Sequence, residues 1–144
     1  MKTPKVAIAA LLIATASAAS GVGIAIVCPT ELPAEAMKIV TAPHGWQPFI
    51  SSPLYLHSAA PIAGPPERLG RMVGRTINRR KGEWMVEYDS LDAPFPEGIW
   101  FSCDYGEGNE FSIAKKLDAG IKSCVVHGKK GEKAGQNSLE INCK

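Results

Sequence analysis

Along the second half of the chain, apolar and polar residues alternate with the period of two that marks strands with one buried face. Trp84, Val86 and Tyr88 alternate with Glu83, Met85 and Glu87. Ile99, Phe101, Cys103 and Tyr105 alternate with Trp100, Ser102 and Asp104, and Phe111 and Ile113 with Glu110 and Ser112. The pattern resumes at Cys124 and Val126 and ends with Leu139, Ile141 and Cys143 set against Ser138, Glu140 and Asn142. Turn formers separate the runs at Asp92–Gly98, Gly106–Asn109, Asp118–Gly120 and Gly128–Gly135. The pattern predicts an all-β domain, an antiparallel meander of five strands forming a small barrel or sandwich. Trp100 falls on the face opposite Phe101, so its strand is either covered on both sides or offers Trp100 to a partner.

The first half reads differently. From Cys28 to Gly64, Pro33, Pro43, Pro48 and Pro53 preclude a long helix, while Trp46, Phe49, Leu54 and Leu56 are apolar anchors. A strand is expected at Tyr55–Ala59, and a turn or two of helix at Glu31–Lys38 capped by Thr30, with Pro33 tolerated in its first turn. Arg68, Arg71, Arg75, Arg79, Arg80 and Lys81, interleaved with Gly70, Gly74 and Gly82, read as an exposed basic loop.

At the N-terminus, Lys2 and Lys5 precede an uncharged apolar run from Val6 to Val27, the pattern of an export signal. Small residues permit cleavage after Ala18 or after Ala25, which makes residues 1–25 a signal peptide and 26–144 a single β-rich domain. Cys28 follows Val27, where lipoprotein processing requires a small residue, so no stable membrane anchor is expected after cleavage. Removal of the two lysines takes the formal charge from +2 to about zero, which argues against nucleic acid as a partner. The expected location is the periplasm.

Cys28, Cys103, Cys124 and Cys143 all lie beyond the signal, and an even count in an oxidising compartment predicts two disulfides. Three connectivities are open; tying the end of the chain to Cys28 is one arrangement. Neither C-x-x-C nor H-x-x-x-H spacing occurs, so no metal is expected.

Catalytic signals are sparse. His44, His57 and His127 have no partner at a telling spacing, and neither G-x-S-x-G nor H-E-x-x-H is present. Asp89, Asp92, Glu97 and Asp104 supply carboxylates, but their separation in space does not follow from their spacing. The expectation is a non-enzyme with no catalytic residues and no cofactor. Between Glu83 and Glu110 stand eight acids and no Lys or Arg, after a strongly basic stretch; such a charge division suits docking. Asp92, Phe95 and Glu97, in a loop stiffened by Pro94 and Pro96, are candidates for a blocking element. Trp100, Asp104 and Glu107 extend the candidate partner-binding set. The alternative is ligand or glycan binding by the Arg68–Lys81 segment through Arg71, Arg75, Arg79 and Arg80.

Cys28-Pro29, Gly64-Pro65-Pro66-Glu67, a strand opened by Trp84, and Trp100-Phe101-Ser102-Cys103-Asp104-Tyr105 together resemble a family of small secreted bacterial proteins. Its marks are a Cys-Pro near the mature N-terminus, Gly-Pro-Pro-Glu and a W-x-x-C-x-Y strand. Some members are encoded beside type VI secretion genes, in the position of periplasmic immunity proteins. The resemblance implies a protein partner, a peptidoglycan-attacking toxin or another cell-wall-directed enzyme, inhibited by occlusion. The plan is also similar to that of bacterial lysozyme inhibitors, whose Ser-Gly-x-x-Tyr loop this chain lacks.

Overall fold

Each alternating run folds as a strand. The computed structural model describes residues 23–144, so the signal expected over residues 1–25 lies outside the described residues but for its last three. The strands are β1 (Ile24–Ile26), β2 (Glu31–Leu32), β3 (Leu54–Ala63), β4 (Arg75–Arg80), β5 (Glu83–Tyr88), β6 (Ile99–Tyr105), β7 (Phe111–Lys116), β8 (Cys124–Lys130) and β9 (Asn137–Cys143). They form two antiparallel sheets, β1-β9-β8-β5-β4 and β2-β3-β6-β7, packed as an open sandwich rather than a closed barrel. Among the described residues, no helix is long and apolar enough to cross a membrane.

The strand order differs from a simple meander. Hairpins β4–β5, β6–β7 and β8–β9 are local, but the chain changes sheets between β5 and β6 and again between β7 and β8. Alternation defines which face of a strand is apolar and carries no information about which strand lies beside it.

Register explains the core. On the first sheet Ile26, Ile141, Val126 and Val86 lie in one row across four strands, and Cys143, Cys124 and Tyr88 in the next. On the second, Leu56 stands beside Tyr105, Ala59 beside Cys103 and Pro61 beside Phe101. These rows face each other and enclose the apolar cluster, in which Tyr105, Phe101, Leu56 and Ile141 are almost fully withdrawn from solvent. Burial, and secondarily the Asp104 carboxylate, push the Tyr105 hydroxyl up to about 12. That hydroxyl stays protonated and donates to the Pro29 carbonyl (3.0 Å).

The basic segment is corrected. Arg75–Arg80 is not a loop but an edge strand, all six residues exposed, paired with β5 through a two-residue turn at Lys81-Gly82, where Gly82 takes φ +78°. Its strand form is imposed by the β5 backbone and by the cross-strand ion pair of Arg75 with Glu87, rather than by apolar periodicity. The helix expected at Glu31–Lys38 is also absent: β2 takes Glu31–Leu32, and only a 3-10 turn at Ala34–Ala36 follows.

The strand expected at Tyr55–Ala59 extends over ten residues and passes through Pro61. The Pro61 carbonyl accepts from the Met72 amide (3.1 Å), so the proline nitrogen faces a short flanking segment and not the β6 ladder.

The two disulfides are Cys28–Cys103 and Cys124–Cys143. The end of the chain is therefore bound to Cys124, not Cys28: Cys124 and Cys143 are direct neighbours in the β8–β9 ladder. Cys28, just past β1 of one sheet, reaches Cys103 in the middle of β6 of the other and fastens the sheets together.

Two outcomes are expected. The Cys28–Cys103 bridge spans 75 residues and the Cys124–Cys143 bridge 19. Replacing both cysteines of the first pair by alanine should therefore remove about 4 kcal/mol of stability, and of the second about 3 kcal/mol. Urea denaturation measures both, and the reverse order would overturn the account. Cleavage after Ala25 would cut through β1, whose Ile26 is buried and paired with Ile141. If a signal is removed, the mature chain should accordingly begin at Ala19, which leaves β1 whole, as the mass of the intact mature protein will show.

Candidate functional site

Residues of β3, β6 and β7 that point away from the core line a second, polar surface. Ser58 is beside Asp104, Ala60 beside Ser102 and Ile62 beside Trp100; across the other side, Ser112 is beside Asp104, Ala114 beside Ser102 and Lys116 beside Trp100. Small side chains thus floor a groove. The segment from Gly64 to Met72 folds over one side of it, because the Ala63 amide donates to the Gly70 carbonyl (2.7 Å) and Arg71 bridges to Ile62. The resulting cavity of about 540 Å³ is bounded by Ile62, Pro66, Leu69, Arg71, Ser102, Asp104, Asn109 and Ser112, with Glu67 at its mouth.

Asp104 organises this groove. Its side chain is only 3 % exposed. Ser102 Oγ (2.6 Å) and Ser112 Oγ (2.8 Å) donate to Oδ1, and Ser58 Oγ (3.0 Å) and Arg71 Nη1 donate to Oδ2. Arg71 Nη2 donates in turn to Ser58 Oγ (3.1 Å), and the Asn109 side-chain amide lies 3.0 Å from the same oxygen. Asn109 reaches back because it occupies the left-handed position (φ +56°) of the β6–β7 turn, which asparagine tolerates. Burial by itself would raise the Asp104 carboxyl, but the hydrogen bonds from Ser102, Arg71 and Ser112 and the Arg71 charge outweigh it and hold it below the ordinary range.

The rim carries apolar anchors. Leu69 is 88 % exposed and held at φ +53°, a conformation unusual for leucine, at the end of the Pro66–Arg68 3-10 turn. The left-handed backbone of Leu69 and its exposure mark this turn as a projecting element. Beside it Arg68 grips Glu97 through two hydrogen bonds (2.8 and 3.2 Å), and the Gly64 amide donates to the Gly98 carbonyl, joining the 91–98 loop to the groove.

The six sequence-predicted contact residues are distributed over this face and its two ends. Asp92 is exposed; Phe95 is half-buried and lines a hollow with Leu117 and Ile121; Glu97 is exposed but engaged by Arg68. Glu107 is exposed at the opposite end, against Gly135. Eight residue steps of about 3.4 Å each lead from Gly98 along β6 to Gly106, so the two ends lie about 27 Å apart.

Two of the six do not present themselves as expected. Asp104 is buried and spent on internal partners, so it positions Arg71 rather than meeting a partner. Trp100 is half-buried, and its Nε1 is enclosed with no hydrogen-bond partner among the described residues. The central strand is covered on both sides.

Of the basic residues, Arg71 pairs with Asp104 and Arg75 with Glu87, whereas Arg79 and Arg80 have no ion pair among the described residues. The basic and acidic runs therefore neutralise one another in part and do not form two opposed poles. Ser58, Asn109 and Leu69 were not singled out from sequence; Ser102, Asp104 and Ser112, on the polar side of the alternation, were the periodic trace of the groove. Among the described residues, no group of three or more His, Cys, Asp and Glu is arranged to hold a metal.

Residues 51–144 match the model of the type VI secretion system Tli immunity proteins. The chain belongs to this family. No curated protein and no solved structure matches it. The family span covers β3 to β9 and with them every residue that builds the Tli groove, Ser58, Arg71, Ser102, Asp104, Asn109 and Ser112. β1, β2 and Cys28 fall outside it.

The depressed Asp104 has a consequence for acid stability. Its ionised form is favoured by folding, so its contribution is complete above the unfolded-chain value of about 3.9 and is lost as pH falls through the lower folded value. Asp104→Asn should destabilise at pH 7 by about 2–3 kcal/mol, less than for a fully buried pair because Arg71 is 44 % exposed. The variant's stability should also change less than the wild type's below about pH 4. Denaturation midpoints across pH 2–7 read both effects, and parallel curves would refute the assignment.

Proposed function

We propose that this protein works in the periplasm, where it binds an envelope-directed toxin of the type VI pathway and occludes it. Family membership supports the immunity role and a toxin as protein partner. Two disulfides fit an oxidising compartment. The observation that carries the choice of surface is that the family span builds the whole groove and its rim.

An area of about 800 Å² on each partner is typical of a stable complex, about 28 Å on a side. The outer face of the second sheet, about 27 Å from the 91–98 loop to Glu107, matches one side of such a patch. In this reading Leu69 and Phe95 are the apolar anchors, Asp92, Glu97, Arg71 and Glu107 the polar rim, and Trp100 and Asp104 the support beneath. The groove is preorganised by Asp104, so little side-chain freedom is lost on docking. Inhibition needs no bond-making by the immunity protein itself. A cell-wall hydrolase is the toxin class implied by the resemblance.

The test is co-purification of the oxidised protein with the toxin encoded beside it, followed by assay of that toxin on peptidoglycan and on phospholipid. A stoichiometric complex without enzymatic activity on the wall supports the reading, and activity on lipid alone would replace the wall with the membrane as the toxin's substrate. Leu69→Asp and the double charge reversal Asp92→Lys, Glu97→Lys should each weaken the complex at least about tenfold, or about 1.4 kcal/mol. Full affinity in both variants would move the interface elsewhere.

A further inference from the structure

The tip of the β4–β5 hairpin has a second hollow, apart from the groove. The register puts Arg79 opposite Trp84 and Trp84 opposite Gly128, on the side of the first sheet that faces the core farther along. A Cβ on Gly128 would stand 2.3 Å from Trp84 Cε2 and Cζ2, so it is the absence of a side chain there that lets the indole lie across β8. Lys130 follows two residues later on the same strand, and its amide donates to the Gly82 carbonyl (3.2 Å), drawing the end of β8 against the turn.

Thr76, Arg79, Arg80, Gly82, Glu83, Trp84 and Lys130 together surround a hollow of about 470 Å³. That is within the range of small-molecule sites, about 300–1,000 Å³.

Its charge is unspent. Arg68, Arg71 and Arg75 are each held by an acid, but Arg79, Arg80 and Lys130 are exposed with no ion pair among the described residues. Glu83, the acid at this end, is paired in register with Arg80 and Lys129, on the face opposite Arg79 and Trp84, and lies 4.0 Å from His127. An edge strand of six exposed residues has no core to serve, and Arg79 flanks an aromatic platform, with Arg80 at the turn on the opposite face.

We infer that this hollow binds a phosphate-bearing saccharide. Arg79 and Lys130 supply donors for the phosphate, the guanidinium in the planar fork that suits phosphate oxygens. The Trp84 ring takes the apolar face of the sugar, and the Thr76 hydroxyl supplies a neutral donor and acceptor for its hydroxyls. This narrows ligand binding within the basic stretch to Arg79 and Arg80, because Arg71 and Arg75 are engaged internally. It does not depend on the toxin reading.

The experiment titrates the purified oxidised protein with a phosphorylated glucosamine disaccharide, the same disaccharide without phosphate, and inorganic phosphate, following the Trp84 indole N–H resonance. The phosphorylated disaccharide should move that resonance and bind at least about tenfold more tightly than either comparison compound. Arg79→Glu should weaken it about tenfold, and Arg75→Ala should leave it within about twofold, since Arg75 already serves Glu87. Presenting the same headgroup on vesicles distinguishes a membrane glycolipid, if affinity rises there, from a soluble source. Equal affinity for inorganic phosphate, an unmoved Trp84 resonance in the wild type, or full binding by Arg79→Glu would each overturn the proposal.

Discussion

A carboxylate withdrawn from water is tolerated only when several donors converge on it, and Asp104 gathers four: three hydroxyls and a guanidinium. That requirement shapes the outer face of the second sheet. It demands small hydroxylated residues on the neighbouring strands, Ser58 on β3 and Ser112 on β7, and leaves room above them. It also pins Arg71, and with Arg71 the segment from Gly64 to Met72 that forms the wall of the groove. Without the carboxylate, the Arg71 guanidinium would lose the acid that holds it over the sheet.

The same strand serves the core on its other side. Phe101, Cys103 and Tyr105 fill the space between the sheets, and Cys103 fastens β6 to Cys28 beside β1. A shift of β6 by one residue would exchange the two sets and place Asp104 in the apolar interior. Core and groove are therefore coupled through one register, and the site is as rigid as the sandwich that carries it.

Charge divides the protein into two surfaces. Arginines near the groove are held by acids of the segment Glu83 to Glu110, which fixes loops and lowers their capacity for outside ligands. At the β4–β5 tip Arg79 and Arg80 have no ion pair among the described residues, and Trp84 lies beside Arg79 on the same face. One basic stretch in the chain thus contributes structural cations at its start and free cations at its end. The span matched by the family model, residues 51–144, contains both surfaces.

The alternation of apolar residues was enough to determine the strands β5 to β9, the all-β class and the inward placement of Cys103, Cys124 and Cys143, because a period of two is a property of the chain alone. It also set Ser102 and Asp104 on the face opposite Phe101. It left β4 unseen, since Arg75–Arg80 has no apolar period and is a strand only because β5 offers it a ladder. It left the pairing of Cys124 with Cys143 undecided, because that depends on β8 lying beside β9. Which acid meets which arginine, and so which charges are spent and which are free, was decided only by the tertiary structure: Asp104 and Arg71 are 33 residues apart in the chain and meet because β3 and β6 are neighbours.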